Sequence, residues 1–261
     1  MTLLRHLPAV LRPLAWNRVA ASQSDDEESR ALCDIARSAG VTPTFVEFGF
    51  GVYELNAAGL IREGWTGQLL DGDGDTCRSM DRIMRRHRRD VQVCQHWFTV
   101  DNVDPVLEFT RTVGQLGVLS VDIDGNDFWI LSELLRHGQP DMLILEYNAS
   151  FGLRPVTVPY DPQFDRHRYS ATGWYHGVSI TAFHRLLHKE YALVRNVRGL
   201  NLIFLRRDLS DGFPDLSPDD AYAEQQSRNA RFGNDAAAQF HAIQDLPLIE
   251  IGDDGRPAPV G

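Results

Sequence analysis

Phe45-Val46-Glu47-Phe48-Gly49-Phe50-Gly51 is a short apolar run that ends in two glycines one residue apart. Its first four residues read as a buried strand, and the glycines as the turn that leaves it. Residues 52–63 predict a helix opening straight out of that turn. A glycine turn between strand and helix lets backbone N–H groups approach a ligand closely. Gly49 and Gly51 fill two positions of a GxGxxG fingerprint, but Glu54 stands at the third. Glycine there permits close helix–strand packing in dinucleotide folds, so its absence weighs against NAD or FAD. Glu47 weighs the same way, because its carboxylate would repel a pyrophosphate and attract a cationic cofactor end. Taken alone, the two glycines also suit a plain tight turn.

Outward from this stretch the pattern repeats. Residues 67–70, 91–94, 118–122 and 142–146 read as strands, and 76–88, 103–116 and 128–136 as helices. Such alternation predicts a parallel sheet with helices on both faces. A helix over 179–189 then leads into strands at 191–197 and 201–206. The turn Arg198-Gly199 between them is so short that they must form an antiparallel hairpin. The expected fold class is α/β and Rossmann-like: a mostly parallel seven-stranded sheet ending in an antiparallel hairpin. Upstream, Ser24 is expected to cap a helix over 26–38 that follows an arm at 1–25. Residues 149–177 lack periodicity and contain Pro155, Pro159 and Pro162, the character of a lid or binding segment. Polar residues follow Asp208, with helices expected at 219–232 and 235–243. The domain reading is an arm and helix (1–40), a core (41–208) with an insertion (149–177), and a C-terminal helical appendage (209–261).

A chain of 261 residues can bury one good core with material left at both ends. Its formal charge of -10 argues against a general nucleic-acid backbone binder. Arg82, Arg85, Arg86, Arg88 and Arg89 crowd around His87, which reads as a solvated helix face. Three cysteines without CxxC spacing suggest a reducing compartment, with neither a disulfide framework nor a zinc site. Residues 1–16 are apolar but interrupted by Arg5, His6, Pro8, Arg12 and Pro13, and no export cleavage site follows. No run approaches the ~18–20 apolar residues of a membrane span. A cytoplasmic protein without membrane or nucleic-acid partners is expected.

Asp71 falls at the tip of the second strand, where an acidic residue suits ribose hydroxyls. The run Asp71-Gly72-Asp73-Gly74-Asp75 is also simply turn-rich. It is no EF-hand, since Arg82 stands at the closing position. Asp122-Ile123-Asp124-Gly125-Asn126-Asp127 ends the fourth strand, and Glu146-Tyr147-Asn148 the fifth. Open α/β sheets bind ligands beyond the carboxyl ends of their strands. Carboxylates gathered there repel one another unless a cation or protons intervene. Asp122, Glu146 and Asn148 offer the oxygen ligands that magnesium or calcium takes. Asp124 and Asp127 read equally well as caps of the next helix. Phe50, Trp129, Tyr147 and Trp174 are available to line a pocket, though each fits a core position better.

Val-Glu-Phe-Gly-Phe-Gly, Leu-Leu-Asp, Ser-Val-Asp-Ile-Asp-Gly-Asn-Asp and Leu-Glu-Tyr-Asn, in that order, resemble the class I S-adenosylmethionine-dependent methyltransferases. Asp122-Ile123-Asp124-Gly125 is similar to the Asp-x-(Glu/Asp)-Gly signature of the FkbM-like branch. The hairpin entering Gly199-Leu200-Asn201-Leu202-Ile203-Phe204 resembles the reversed hairpin that ends that fold. The resemblance spans roughly residues 41–207. It implies that Glu47, Gly49 and Gly51 hold the methionine end and backbone of S-adenosylmethionine, and that Asp71 holds its ribose. Asp101 or Asn102, after the third strand, would meet the adenine, and Asp122 would line the junction of cofactor and substrate. A cation-dependent branch implies Mg2+ on Asp122, Glu146 and Asn148, although Glu146-Tyr147-Asn148 departs from the adjacent Asp-Asn pair found there.

Methyl transfer is an in-line displacement that relies on positioning, and an oxygen nucleophile gains from a base. His176, in Trp174-Tyr175-His176-Gly177, is the first candidate base and Asp124 the second. The expected activity is O-methylation of a small-molecule or sugar-like acceptor, with homo-oligomerisation left open. Two alternatives stand beside it: an NAD-dependent oxidoreductase, and a non-catalytic cofactor-binding interaction module.

Overall fold

Strand β1 (Thr44–Phe48) is buried at all five positions, as expected of a central parallel strand covered on both faces. A computed structural model describes it together with residues 27–52, 54–87 and 90–258. The expected arm at 1–25, its Ser24 cap, and Arg88 and Arg89 of the basic run lie outside the described residues. β1 pairs in parallel with β2 (Thr66–Asp71) on one side and β4 (Val118–Val121) on the other. β3 (Val91–Gln95) pairs in parallel with β2. With β5 (Met142–Glu146), β7 (Tyr191–Val197) and β8 (Asn201–Arg206), the seven-stranded sheet has the order β3-β2-β1-β4-β5-β8-β7. Successive strands thus leave β1 in opposite directions, which makes the β1–β4 junction a topological switch point.

β7 and β8 are antiparallel, as the short turn requires. Arg198 and Gly199 both have positive φ there, which turns the chain within a few residues. A Cβ on Gly199 would lie 2.3 Å from the Glu224 carbonyl oxygen, so glycine is needed for space as well as for φ.

By packing, the chain separates into two compact units. The first contains the described residues up to Phe98, with Asp104–Val121 and Pro140–Ile144. In it, α1 (Glu27–Ser38) buries Leu32, Ile35 and Ala36 and packs on α2 (Ala58–Glu63). Gly59 permits this approach: a Cβ there would sit 2.4 Å from the Cys33 sulfur, and its N–H donates to Ser29 Oγ. α3 (Gly74–His87) buries Cys77, Met80, Ile83 and Met84 and packs on β2 and β3. Its Arg82, Arg85 and Arg86 are exposed, a solvated face as read from sequence. α4 (Asp104–Val113) buries Val106 and Phe109.

The second unit contains Thr99–Val103, Asp122–Gln139 and everything from Leu145 onward. It holds α5 (Asp127–Leu135), α6 (Arg166–Tyr169) and α7 (Ile180–Leu187), then α8 (Pro218–Ala221), α9 (Gln226–Phe232) and α10 (Ala236–His241). Here the packing departs from the expected appendage at 209–261. Phe151, Val158, Phe164, Trp174 and Tyr175 from the 149–177 stretch share one core with Ile243, and Phe240, Leu246 and Leu248 pack against it. β6 (Val156–Thr157) pairs antiparallel with β9 (Ile249–Glu250). Neither segment is periodic alone, but each supplies the apolar surface the other needs. The helix expected over 219–232 is broken at 222–225, where Tyr222 donates to the Ala149 carbonyl and the Tyr147 hydroxyl to that of Ala223. Among the described residues no helix is long and apolar enough to cross a membrane.

Candidate functional site

In the first unit, the loop after β1 is shaped by its own backbone and by two carboxylates. Gly49 takes a positive φ of 80° and donates its N–H to the Leu70 carbonyl, fastening the loop to β2. Gly51 and Glu54 exchange both backbone hydrogen bonds, at 2.9 and 3.1 Å. This small turn occupies the start of the expected 52–63 helix, and α2 begins only at Ala58.

Glu47 spans the turn. Its two carboxylate oxygens accept the N–H groups of Asn56 at 2.9 Å and Ala57 at 2.7 Å. Those donors precede α2, whose Ncap residue Ala57 has no side-chain cap, so Glu47 satisfies from a distance groups that a helix start leaves bare. The side chain is only 2 % exposed. Burial pushes its pKa up to about 7 despite the two N–H donors. The resemblance implied a direct contact with the methionine end of a cofactor; in this chain the carboxylate is engaged in building the loop. The Asn56 amide continues the tie to β4 by donating to Ser120 Oγ at 3.1 Å.

Asp71 is half-buried at the tip of β2 and accepts N–H groups from Asp73 and from Phe50 of the glycine loop. Burial raises its pKa. The fold therefore gathers Glu47, Gly49, Gly51 and Asp71 around one turn. Trp97 lies nearby and was not singled out from sequence. It is 57 % exposed, and its ring covers Gly72 so closely that a Cβ there would be 2.6 Å from it. An aromatic residue just past a strand tip was the available signal.

The second unit carries the acidic tips. Asp127 is buried, and its carboxylate accepts the N–H groups of Ile123 at 2.9 Å and Gly125 at 2.8 Å. It shapes this loop as Glu47 shapes the other, and burial lifts its pKa to about 7. Between the two donors, Asp124 is forced to a φ of 60°, which L residues other than Asn and Asp rarely adopt. Its exposed carboxylate pairs with Arg166 of α6. Asp122 and Glu146 are half-buried and hydrogen-bonded to each other. Burial is the main cause that raises both pKa values; repulsion from Glu146 adds to it at Asp122, and repulsion from Asp124 adds to it at Glu146, whose bond with Asp122 works the other way.

His176 is buried beside them. Ligand atoms of Asp124, Glu146 and His176 lie within 4.8 Å of one another. The imidazole Nδ1 is 3.0 Å from the Gly173 carbonyl, and Nε2 is 3.3 Å from Nη2 of Arg228. Nδ1 is therefore the protonated nitrogen, and Nε2 accepts from the guanidinium. Burial, with Arg228 next, holds the imidazole pKa well below its ordinary value. A neutral imidazole whose lone pair is engaged by a guanidinium is a poor proton acceptor, which counts against the base role expected of it.

Asn148 is placed differently from its expected role as a metal ligand. Its amide donates to the carbonyls of Trp174 at 2.7 Å and His176 at 2.9 Å. Its oxygen accepts from the Ser150 N–H at 3.0 Å and from Arg228 at 3.1 Å. All four hydrogen-bonding positions are filled by protein. Arg228 escaped the sequence reading because it is 80 positions away along a stretch that resembles a solvated helix. Asp101 and Asn102 are exposed on a turn closed by the Asn102 N–H to Thr99. Phe50, Tyr147 and Trp174 are buried, and half-buried Trp129 donates to the Val158 carbonyl.

No protein-family model matches the chain, and comparison with the curated proteins gives no match. Several solved structures share part of its outline. The N-terminal domain of EvdMO1 with SAH bound is 15% identical, over 72% of this chain and 83% of that one, with a TM-score of 0.43. An O-methyltransferase from Bacillus cereus in complex with SAH is 12% identical, over 75% and 90%, with a TM-score of 0.42. A 1,6-didemethyltoxoflavin-N1-methyltransferase from Burkholderia thailandensis is 13% identical, over 76% and 88%, with a TM-score of 0.44.

Proposed function

We propose that this chain is an S-adenosylmethionine-dependent methyltransferase acting on an oxygen of a small-molecule or sugar-like acceptor. The observation that carries the reading is the sheet order, with its switch point at β1–β4 and an antiparallel last pair, β8–β7. Ligands of open α/β sheets sit beyond the carboxyl ends of the strands at such a point. The glycine loop and Asp71 stand at those ends in the first unit. Asp71, half-buried and still partly open to solvent, suits ribose hydroxyls, and Gly49 and Gly51, lacking side chains, allow the rest of the cofactor to approach the loop closely. Exposed Trp97 adds a π-face beside them. The finer placement in the FkbM-like branch rests on Asp122-Ile123-Asp124-Gly125, and a cytoplasmic setting on three free cysteines.

When bound, S-adenosylmethionine supplies the methyl group: its C–S bond breaks as a C–O bond forms on the acceptor. The hydroxyl proton must leave, and Asp124 is the proposed acceptor for it. Its carboxylate is accessible and is held in place by Arg166. His176 takes a positioning role through Arg228.

The test is ligand-induced stabilisation, since a ligand that binds only the folded state raises the melting temperature. S-adenosylhomocysteine should raise it in the unaltered protein and much less in Asp71→Ala. A rise with NAD and none with S-adenosylhomocysteine would overturn the proposal. Labelled methyl donor offered with hydroxylated acceptors then identifies the substrate.

A further inference from the structure

We infer that the guanidinium groups of Arg228 and Arg166 stand in for a divalent cation at the acidic tips of β4 and β5. Asp122, Asp124 and Glu146 bring three carboxyls into one cluster, and such a cluster requires either protons or positive charge. Asp124, Glu146 and His176 have the spacing at which a divalent ion would be held. Yet each of these groups is already engaged. Arg166 is on Asp124, Arg228 is on His176 Nε2, and Asp122 is hydrogen-bonded to Glu146. Asn148, the neutral oxygen ligand expected from sequence, has no open position. The donor set therefore does not fit a magnesium ion.

Arg228 is seated in this place by a buried polar chain. Nη1 donates to Asn148 Oδ1 and, at 3.4 Å, to Ser150 Oγ. Ser150 in turn donates to Gln239 of α10 at 2.7 Å, and Gln239 to Asn229 at 2.8 Å, one residue after Arg228 itself. Burial and the neighbouring Arg166 lower its pKa, while Glu146 and Asp124 are the carboxylates that favour its charge. Arg166 and Arg228 thus place two guanidiniums among these carboxyl groups. A divalent ion bound here would share the site with two cations.

Melting measured with EDTA, Mg2+, Mn2+ or Ca2+ alone tests this without any assay of activity. The unaltered protein should melt at the same temperature under all four conditions. Arg228→Met removes the charge while keeping bulk, and leaves His176 Nε2 and Asn148 Oδ1 without their guanidinium partner. That variant should melt lower in EDTA and recover by about 3 °C or more with millimolar Mn2+. Arg228→Lys should stay indifferent to metal. Lowered melting of the unaltered protein in EDTA, or no gain of Mn2+ response in Arg228→Met, would overturn the inference. If Arg228→Met does not fold, calorimetric titration of the unaltered protein with Mn2+ decides: submillimolar binding overturns the inference, and none upholds it. The response to S-adenosylhomocysteine is a separate measurement, so either proposal can fail alone.

Discussion

The Glu47 carboxylate accepts the backbone N–H of Ala57 at 2.7 Å, linking the end of β1 to the residue before α2. A buried acid thus fixes the entry into the helix by holding the N–H groups of its Ncap residue and of the residue before it.

Stability should carry the titration of Glu47. The folded state keeps its proton up to about pH 7, whereas an unfolded chain loses it near its ordinary value of 4.5. Between these limits the folded state binds more protons, so its stability falls as pH rises and levels off above 7. The loss from this one group is on the order of 3 kcal/mol. Denaturant unfolding of the unaltered protein and Glu47→Gln at pH 4 and pH 8 checks it. The stability difference between them should shift by that amount, and a difference independent of pH would contradict the assignment.

Left-handed backbone at Asp124 predicts an inversion of the usual Ala-over-Gly preference. Both Asp124→Ala and Asp124→Gly lose the Arg166 pair, so they differ only in the cost of a φ of 60°. Asp124→Gly should be the more stable by about 1 kcal/mol. Equal melting of the two would mean that the loop relaxes.

Gly125→Ala should be destabilising for a steric reason. The added Cβ would lie 2.1 Å from the Phe164 ring, which must move. The expected cost is about 1–3 kcal/mol, relieved in part by Phe164→Leu in a double-mutant cycle. Additive single effects would show that the ring is not the obstacle.

Ile243 separates an appendage from an integral part of the second unit. It is 1 % exposed and packs with Phe151, Phe164 and Tyr175. Ile243→Ala should cost about 2–5 kcal/mol, measured by chemical unfolding. A loss under 0.5 kcal/mol would fit a loosely attached tail instead.

The alternation of strands and helices was readable because each element repeats its own period. The hairpin at Arg198-Gly199 followed from the length of the connection alone, since a three-residue turn admits only antiparallel neighbours. The helix expected over 52–63 starts only at Ala58 because Gly51 and Glu54 close a backbone turn and a carboxylate several residues upstream holds the N–H groups of Asn56 and Ala57. Glu47 and Asn148 drew attention as polar residues at strand tips. What each bonds to is a matter of neighbours that spacing does not reveal. Arg228 left no trace at all, since a half-buried cation on a short helix reads like any solvated arginine.

By itself the sequence determined the α/β class, the seven strands, the reversed last pair and the strand tips on which acids gather. These depend on local periodicity and on turn length, which neighbouring residues carry. Only the tertiary structure decided what those acids do. Glu47 and Asp127 build loops, Asp122 and Glu146 bond to each other, and Arg166 and Arg228 supply positive charge. The ionisation and partners of a buried polar group are set by whatever surrounds it in space, and here the decisive guanidinium lies 52 positions along the chain from the histidine it meets.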